Sequence, residues 1–342
     1  MTLETVSAGV LVPVPGSVAE INAALDAQAR EYADRSMAPN TRRAYETDWA
    51  HFVGWCARHE SDPLPATPDA VWRYVTDLAN NGTEATGGRP AKTSTILRRV
   101  SSISVMHKAH GHNSPTGDAA VQFVLEGIAR RGPEFSSAPK TAATTATVVR
   151  LVAGLDPDKP ADVRDRAILL FGLAGAMRRS ELAALDLANI VDTGEGLEVL
   201  IATSKTDQRS DGDIIGLPPG DREATSPVHA WQAWCALLAD SGHDVSPAFR
   251  PVARSGQILP RRLSPQSVAL IVKRRATAAG LDADDFAGHS LRSGFATTAA
   301  RAGVEEREIM RQGRWKSVKI ARNYVQRGRA LDATNPARRL GL

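Results

Sequence analysis

At 342 residues the chain is too long for one ordinary hydrophobic core and suits two domains. With 42% hydrophobic and 23% charged residues it reads as a soluble globular protein, and no apolar run is long enough to span a bilayer. Net charge is only +4, so where the basic residues gather matters more than their sum.

Residues 1 to about 20 read as a flexible arm. No Lys or Arg precedes Arg30, so the basic start of a secretory signal is missing. Cys56 and Cys235 each lie beside a tryptophan in apolar surroundings and read as buried free thiols of a reducing compartment. The expected location is cytoplasmic, on the nucleoid.

Helical patterns follow. "NTRRAYETDWAHFVGWC" places Tyr45, Trp49, Phe52, Val53 and Cys56 on one helix face, with Asn40 as its expected N-cap. "TPDAVWRYVTDLANNG" starts on Thr67 and Pro68 and stops at Gly82. "KTSTILRRVSSISVMHKAHG" aligns Ile96, Val100, Ile103 and Met106, and "DAAVQFVLEGIARRG" adds Val121, Val124, Leu125 and Ile128. These amphipathic helices predict a small helical domain over 21–132. Its basic residues Arg42, Arg43, Lys92, Arg98 and Arg99 fall off the apolar stripes, where they can meet phosphates.

"RGPEFSSAPKTAATTAT" has no periodicity and predicts a linker at 133–143. A second domain, 144–328, reads as mixed. "VRDRAILLFGLAGAM" is apolar on nearly all sides, a buried helix. "GLEVLIATSKTDQRSDGDIIGLP" reads as two short strands around a polar turn. "SPQSVALIVKRRATAAG" is a helix capped by Ser264, and three glycine-punctuated helical segments follow, ending in "VKIARNYVQRG". Residues 329–342 form a tail.

From Arg314 to Arg329 there are six Lys or Arg and no Asp or Glu, and the segment contains Tyr324, the first tyrosine after Tyr74. Such a patch, including Arg314, Lys316 and Lys319, suits a polyanion, although a solvated basic face is the ordinary alternative. Arg178 ends the buried helix and has a ready ion-pair partner in Glu181. His289 and Arg292 stand one helical turn apart. Lys205 falls on the apparent turn between strands, where a solvated tip is the ordinary reading, and Trp315 sits among basic residues, where core packing is. His107, His110 and His112 have ligand-like spacing but no nearby carboxylate or cysteine, and "DADD" (282–285) reads as a solvated loop. No phosphate-cradling glycine loop of the Walker type occurs, so neither metal nor ATP is expected as a cofactor.

Taken in order, Arg178, Glu181, Lys205, His289, Arg292, Trp315 and Tyr324 resemble the tyrosine recombinase (phage integrase) family. The motifs stand here as "GAMRRSEL", "TSKTD", "GHSLRSGF", "RQGRWKS" and "ARNY", and "NTRRAYETDWAHFVGWC" resembles the family's N-terminal core-binding segment. Most members carry histidine at the position of Trp315, whereas Cre-like members carry tryptophan; the first domain is more like the general integrase type.

The resemblance implies a mostly α fold: a helical core-binding domain and an α+β catalytic domain with a small antiparallel sheet. It implies a site-specific recombinase acting on double-stranded DNA with paired half-sites, monomeric in free solution and tetrameric on synapsed DNA. Tyr324 would form a covalent 3′-phosphotyrosine, Arg178 and Arg292 would clamp the phosphate, and Lys205 would protonate the leaving 5′-oxygen. His289 would help move the tyrosine proton, Trp315 would position Tyr324 or donate its indole N–H, and Glu181 would orient its basic neighbours. A type IB topoisomerase and a DNA-binding protein without catalysis are the competing readings. In the tail, Asn335 and Pro336 can start a short helix with Leu340 and Leu342 as apolar anchors, expected to dock on a neighbouring protomer.

Overall fold

The computed structural model describes residues 18–35, 37–136, 140–202, 212–243 and 245–330, with Asn335, Ala337 and Leu340 of the tail. The chain divides into two compact units, Met1–Ala138 and Pro139–Leu342. None of the helices among the described residues is long and apolar enough to cross a membrane.

The first unit contains α1 (Val18–Arg35), α2 (Pro39–Arg58), α3 (Pro68–Asn80), α4 (Thr93–Ala109) and α5 (Ala119–Ala129). The helix α1 begins inside the segment expected to be an arm. Its larger apolar residues Val18, Leu25 and Tyr32 are exposed, so it lacks the buried stripe that periodicity detects. Asn40 does not cap α2, which starts one residue earlier; its Oδ1 accepts from Arg43 Nη2 at 2.7 Å inside the first turn. Val53, expected on the apolar face, is exposed. Thr67 does cap α3, its hydroxyl accepting from Ala70 N–H. Gly82 ends that segment with φ +68°, and a Cβ there would lie 1.8 Å from the Arg89 carbonyl oxygen.

Phe52, Trp55, Tyr74, Ile96, Ile103 and Val121 form this unit's core. Arg98 and Arg99, expected to meet phosphates, both have a partner inside this unit, although Arg98 stays exposed. Both converge on the buried Asp48, Arg98 at 2.5 Å and Arg99 at 3.6 Å, and Arg99 Nη1 also donates to the Tyr74 hydroxyl at 2.9 Å. Two cations serve one carboxylate whose charge burial alone would suppress. Arg42 is half-buried, and Arg43 and Lys92 are exposed. His107 is packed inside: its Nε2 accepts from Ala66 N–H and its Nδ1 donates to the Ile103 carbonyl, both at 2.8 Å.

The second unit runs α6 (Thr145–Ala153), α7 (Pro160–Ala174), α8 (Arg179–Ala184), β1 (Ile190–Asp192), β2 (Leu197–Ile201), β3 (Asp213–Leu217), α9 (Pro227–Asp240), α10 (Pro265–Ala278), α11 (Ser290–Arg301), α12 (Glu306–Gly313) and α13 (Val318–Arg329). The sheet is antiparallel in the order β1-β2-β3, with Val199 opposite both Ile190 and Ile215. One strand more than expected is present, because β1 spans three residues and is too short to show alternation. Leu197, Val199, Ile201, Ile215 and Leu217 face inward, into the same core as Ile168, Leu169 and Phe171 of α7, which are fully buried. Ser264 caps α10 as expected, accepting from Ser267 N–H at 3.1 Å. Cys56 is buried and Cys235 half-buried, both are free thiols, and burial pushes each up to about 11.

Lys205 lies outside the described residues, as do Pro336 and Leu342 of the tail. Asn335 Oδ1 accepts from Ala337 N–H at 2.8 Å, and Leu340 is exposed.

Candidate active site

Two helix ends of the same type build the site. At the end of α7 the chain enters left-handed backbone at Ala176 (φ +47°). Ala176 N–H bonds the Leu173 carbonyl, and Met177 N–H bonds that of Gly172. This is a Schellman turn with alanine where glycine is usual. It buries Met177 and delivers Arg178 to the start of α8. There Glu181 accepts from the backbone N–H of Arg178 at 2.9 Å and pairs with its guanidinium. The second turn ends α12. Arg314 takes the left-handed position (φ +54°), its N–H bonds the Arg311 carbonyl, and Trp315 N–H bonds that of Met310.

Arg314 corrects an expectation. The sequence puts it on a DNA-facing basic patch, but it is 7% exposed and turned inward. Its Nη2 reaches Glu181 Oε2 at 2.8 Å, and its Nη1 donates to the carbonyls of Gln312 at 2.9 Å and Gly175 at 3.2 Å. Of the other basic residues expected on that patch, Lys316 and Lys319 are exposed.

His289 and Arg292 share the start of α11 but not the same environment. His289 precedes the helix and is exposed, whereas Arg292 is 5% exposed. Arg292 Nη1 donates to the Ala176 carbonyl at 2.6 Å, and its guanidinium carbon lies 4.1 Å from the centre of the Trp315 ring. The Trp315 ring is in turn 5.9 Å from that of Tyr324, tilted by 45°. Tyr324 is partly buried on α13, which packs on α11 closely enough that a Cβ on Gly328 would meet the Thr297 carbonyl oxygen at 2.8 Å.

Arg178, Glu181, Arg292, Arg314, Trp315 and Tyr324 therefore form one linked cluster. Of the other expected catalytic residues, His289 is exposed just before α11, three residues from Arg292, and Lys205 lies outside the described residues. Two guanidiniums, of Arg178 and Arg314, pair with the one carboxylate of Glu181, and that of Arg292 bonds the Ala176 carbonyl. Burial opposes charge on Glu181, but the Arg314 cation, then the Arg178 N–H and guanidinium, hold its carboxyl below the usual carboxylate range. Burial, and after it the Arg178 and Arg314 cations, push Arg292 down to about 9, against the opposing pull of Glu181 and Tyr324. A guanidinium keeps its proton in proteins, so this cost is one that an incoming anion relieves. Among the described residues, Arg292 Nη2 and Arg314 Nε are buried donors without a protein acceptor. The cluster can bind an oxyanion and strengthen its hold as negative charge grows.

Sequence reasoning missed the inward role of Arg314. "RQGRW" suggests that the glycine takes the left-handed turn position, yet the arginine does. Gly313 is needed for another reason: a Cβ there would fall 1.7 Å from Cζ3 of Trp315. Gly313→Ala is expected to displace the indole from Arg292 and Tyr324. Small misplacements of reacting groups cost up to about 100-fold, so, for the activity that the sequence resemblance implies, strand cleavage by this variant is expected to fall by about tenfold or more while DNA binding, measured by gel shift, is kept.

The model of the phage integrase family matches residues 143–329. The chain is 36% identical over 312 residues to an integrase/recombinase XerD homolog of Selenomonas ruminantium, covering 90% of this chain and 88% of that protein. It is 26% identical over 289 residues to the Cre recombinase of Escherichia phage P1, covering 80% of each. Among solved structures, the fold is similar to that of the Tn1549 transposon integrase in complex with transposon right-end DNA (TM-score 0.58, 14% identity, 92% of this chain and 98% of that one). It is also similar to lambda integrase in a tetramer bound to a Holliday junction (TM-score 0.54, 16% identity, 90% and 78%).

Proposed function

The chain belongs to the phage integrase family and is a tyrosine site-specific recombinase, and from that premise we propose how its residues divide the work of DNA strand exchange. Tyr324 is the nucleophile. Its oxygen attacks the scissile phosphorus, the bond to the 5′-oxygen breaks, and a 3′-phosphotyrosine and a 5′-hydroxyl result. His289, exposed just before α11, assists removal of the phenolic proton. Arg178 and Arg292 hold the non-bridging oxygens, whose charge rises in the pentacoordinate transition state. This electrostatic task is one that a metal ion performs in other phosphoryl-transfer sites. Trp315 holds the Arg292 guanidinium against its ring and sets the position of Tyr324. Lys205, by family resemblance, gives its ammonium proton to the leaving 5′-oxygen. The covalent linkage conserves the energy of the broken bond, so a 5′-hydroxyl from a second duplex reverses the step without ATP and completes one strand exchange.

The observation that carries this assignment is the Arg292 guanidinium, 4.1 Å from the Trp315 ring centre, buried, and with one donor unmet by protein. A cation so placed, beside a tyrosine, is best explained by a phosphate that completes it. Exposed Arg43, Lys92, Lys316 and Lys319, with Arg42, are proposed to contact the DNA backbone, where most of the affinity of such proteins resides. The lambda integrase relative forms a tetramer on its junction, and a tetramer on synapsed sites is proposed here too, with the tail segment docking on the neighbouring protomer.

The test is an exchange assay with two differently labelled duplexes that each carry the recognition site. Recombinant duplexes bearing both labels are expected. Relaxation of supercoiled DNA without exchange would favour topoisomerase-like action, and binding alone would mean that catalysis is lost. The role of Lys205 has its own check. A substrate with sulfur in place of the 5′-bridging oxygen leaves without protonation, so it should restore cleavage by Lys205→Ala and not by Arg292→Ala. Equal rescue of the two variants would remove Lys205 as the acid.

A further inference from the structure

Arg314 has no part in the scheme above, yet it is as deeply buried as the groups that do. It holds left-handed backbone, φ +54° and ψ +44°, a region that favours glycine and burdens a large side chain. Its guanidinium is anchored by four acceptors: Glu181 Oε2 at 2.8 Å, and the carbonyls of Gln312, Gly175 and Ala176 at 2.9, 3.2 and 3.4 Å. The Ala176 carbonyl is the same one that receives Arg292. Glu181 is thus shared, one oxygen facing the Arg178 guanidinium and the other facing Arg314.

The charge balance gives this sharing a consequence. A buried Arg178–Glu181 pair on its own is neutral, and its carboxylate would repel an approaching phosphate and compete for the guanidinium. With Arg314 added, two cations share one anion, and Arg178 retains positive charge for an external ligand. We propose that Arg314 is a positioning residue for strand transfer: it takes up the charge of Glu181 and fixes that carboxylate, which leaves the Arg178 guanidinium oriented and available for the scissile phosphate. The proposal rests on the assignment of Arg178 to that phosphate. The rival account is that Arg314 only braces the turn carrying Trp315, in which case Glu181 is irrelevant to its effect.

A double-mutant cycle separates the two accounts. Wild type, Arg314→Gly, Glu181→Gln and the double variant are compared by single-turnover cleavage of a nicked suicide substrate, with half-site affinity measured in parallel. Glycine suits the left-handed backbone and removes only the side chain. Arg314→Gly is expected to slow cleavage by about tenfold or more at unchanged half-site affinity, and to cost less than about threefold when Glu181 is already glutamine. Arg314→Lys, which keeps the charge without the fork, is expected to recover part of the rate. An equal penalty in both backgrounds overturns the proposal and leaves Arg314 as a brace. If thermal unfolding shows Arg314→Gly to be unfolded at the assay temperature, the same cycle is run with Arg314→Gln, and the same comparison decides. A wild-type chain that forms no adduct overturns the strand-transfer reading itself, whereas an active wild type with uncoupled variants overturns only the role of Arg314.

Discussion

Tyr324→Phe is expected to occupy its DNA site as the wild type does and to form no covalent protein–DNA adduct. The substitution removes one oxygen and keeps the ring, whose centre lies 5.9 Å from that of Trp315 and which packs against the small cluster of Ala296, Ala300, Ile309 and Val325. Folding and the seating of α13 on α11 should therefore persist. The chemical loss is complete, because a phenyl ring offers no atom that can displace the 5′-oxygen from phosphorus. Denaturing electrophoresis of protein incubated with labelled site DNA reads the outcome directly. A slow-moving labelled band that survives SDS in this variant would move the nucleophile to another residue.

Arg292→Ala is expected to have the second largest effect, a fall in cleavage of about 100- to 1,000-fold, the range typical for loss of one preorganised donor to a transition-state oxyanion. Binding should fall far less, since affinity for duplex DNA is spread over many phosphate contacts. The alanine removes a buried cation in contact with Trp315 and releases the Ala176 carbonyl, which Arg314 also engages at 3.4 Å. Arg292→Lys keeps a charge but loses the planar fork that suits two phosphate oxygens, so only partial recovery is expected. Filter binding set beside single-turnover cleavage distinguishes the roles. If both constants fall by the same factor, Arg292 acts as a ground-state anchor and not in the transition state.

Much of this was legible in the sequence because it depends on local chemistry. The Thr67 and Ser264 caps, each followed by proline, announce their helices within four residues, and the structure shows both hydroxyls accepting the expected N–H. Ser226 before Pro227 carries the same signal and caps α9 by accepting from His229 N–H, a helix the reading by periodicity passed over. The apolar run of α7 was readable because a helix buried on every side has few polar residues. The proposed site residues come from an ordered set of motifs, which requires no knowledge of distance, and the structure brings Arg292, Trp315 and Tyr324 of that set together.

What escaped was whatever depends on partners remote in sequence. Asp48 reads as an ordinary helical acid until the fold brings Arg98, 50 residues later, and Arg99 to it, and those arginines then hold a partner inside the unit. Arg314 reads as one more cation of a basic run, and only its left-handed backbone turns it toward Glu181, 133 residues earlier in the chain. The strand β1 and the exposed helix α1 failed for the opposite reason: each presents too little buried alternation to register as a pattern.

In the proposed reaction the phosphate held by the Arg178 and Arg292 cations is transferred to Tyr324. The most direct test traps the adduct on a suicide substrate, digests the protein, and identifies the DNA-bearing peptide by mass spectrometry. The modification is expected on Tyr324, in a peptide derived from α13, joined to the 3′-phosphate with a free 5′-hydroxyl on the other product. A linkage to any other residue, or to a 5′-phosphate, would contradict it.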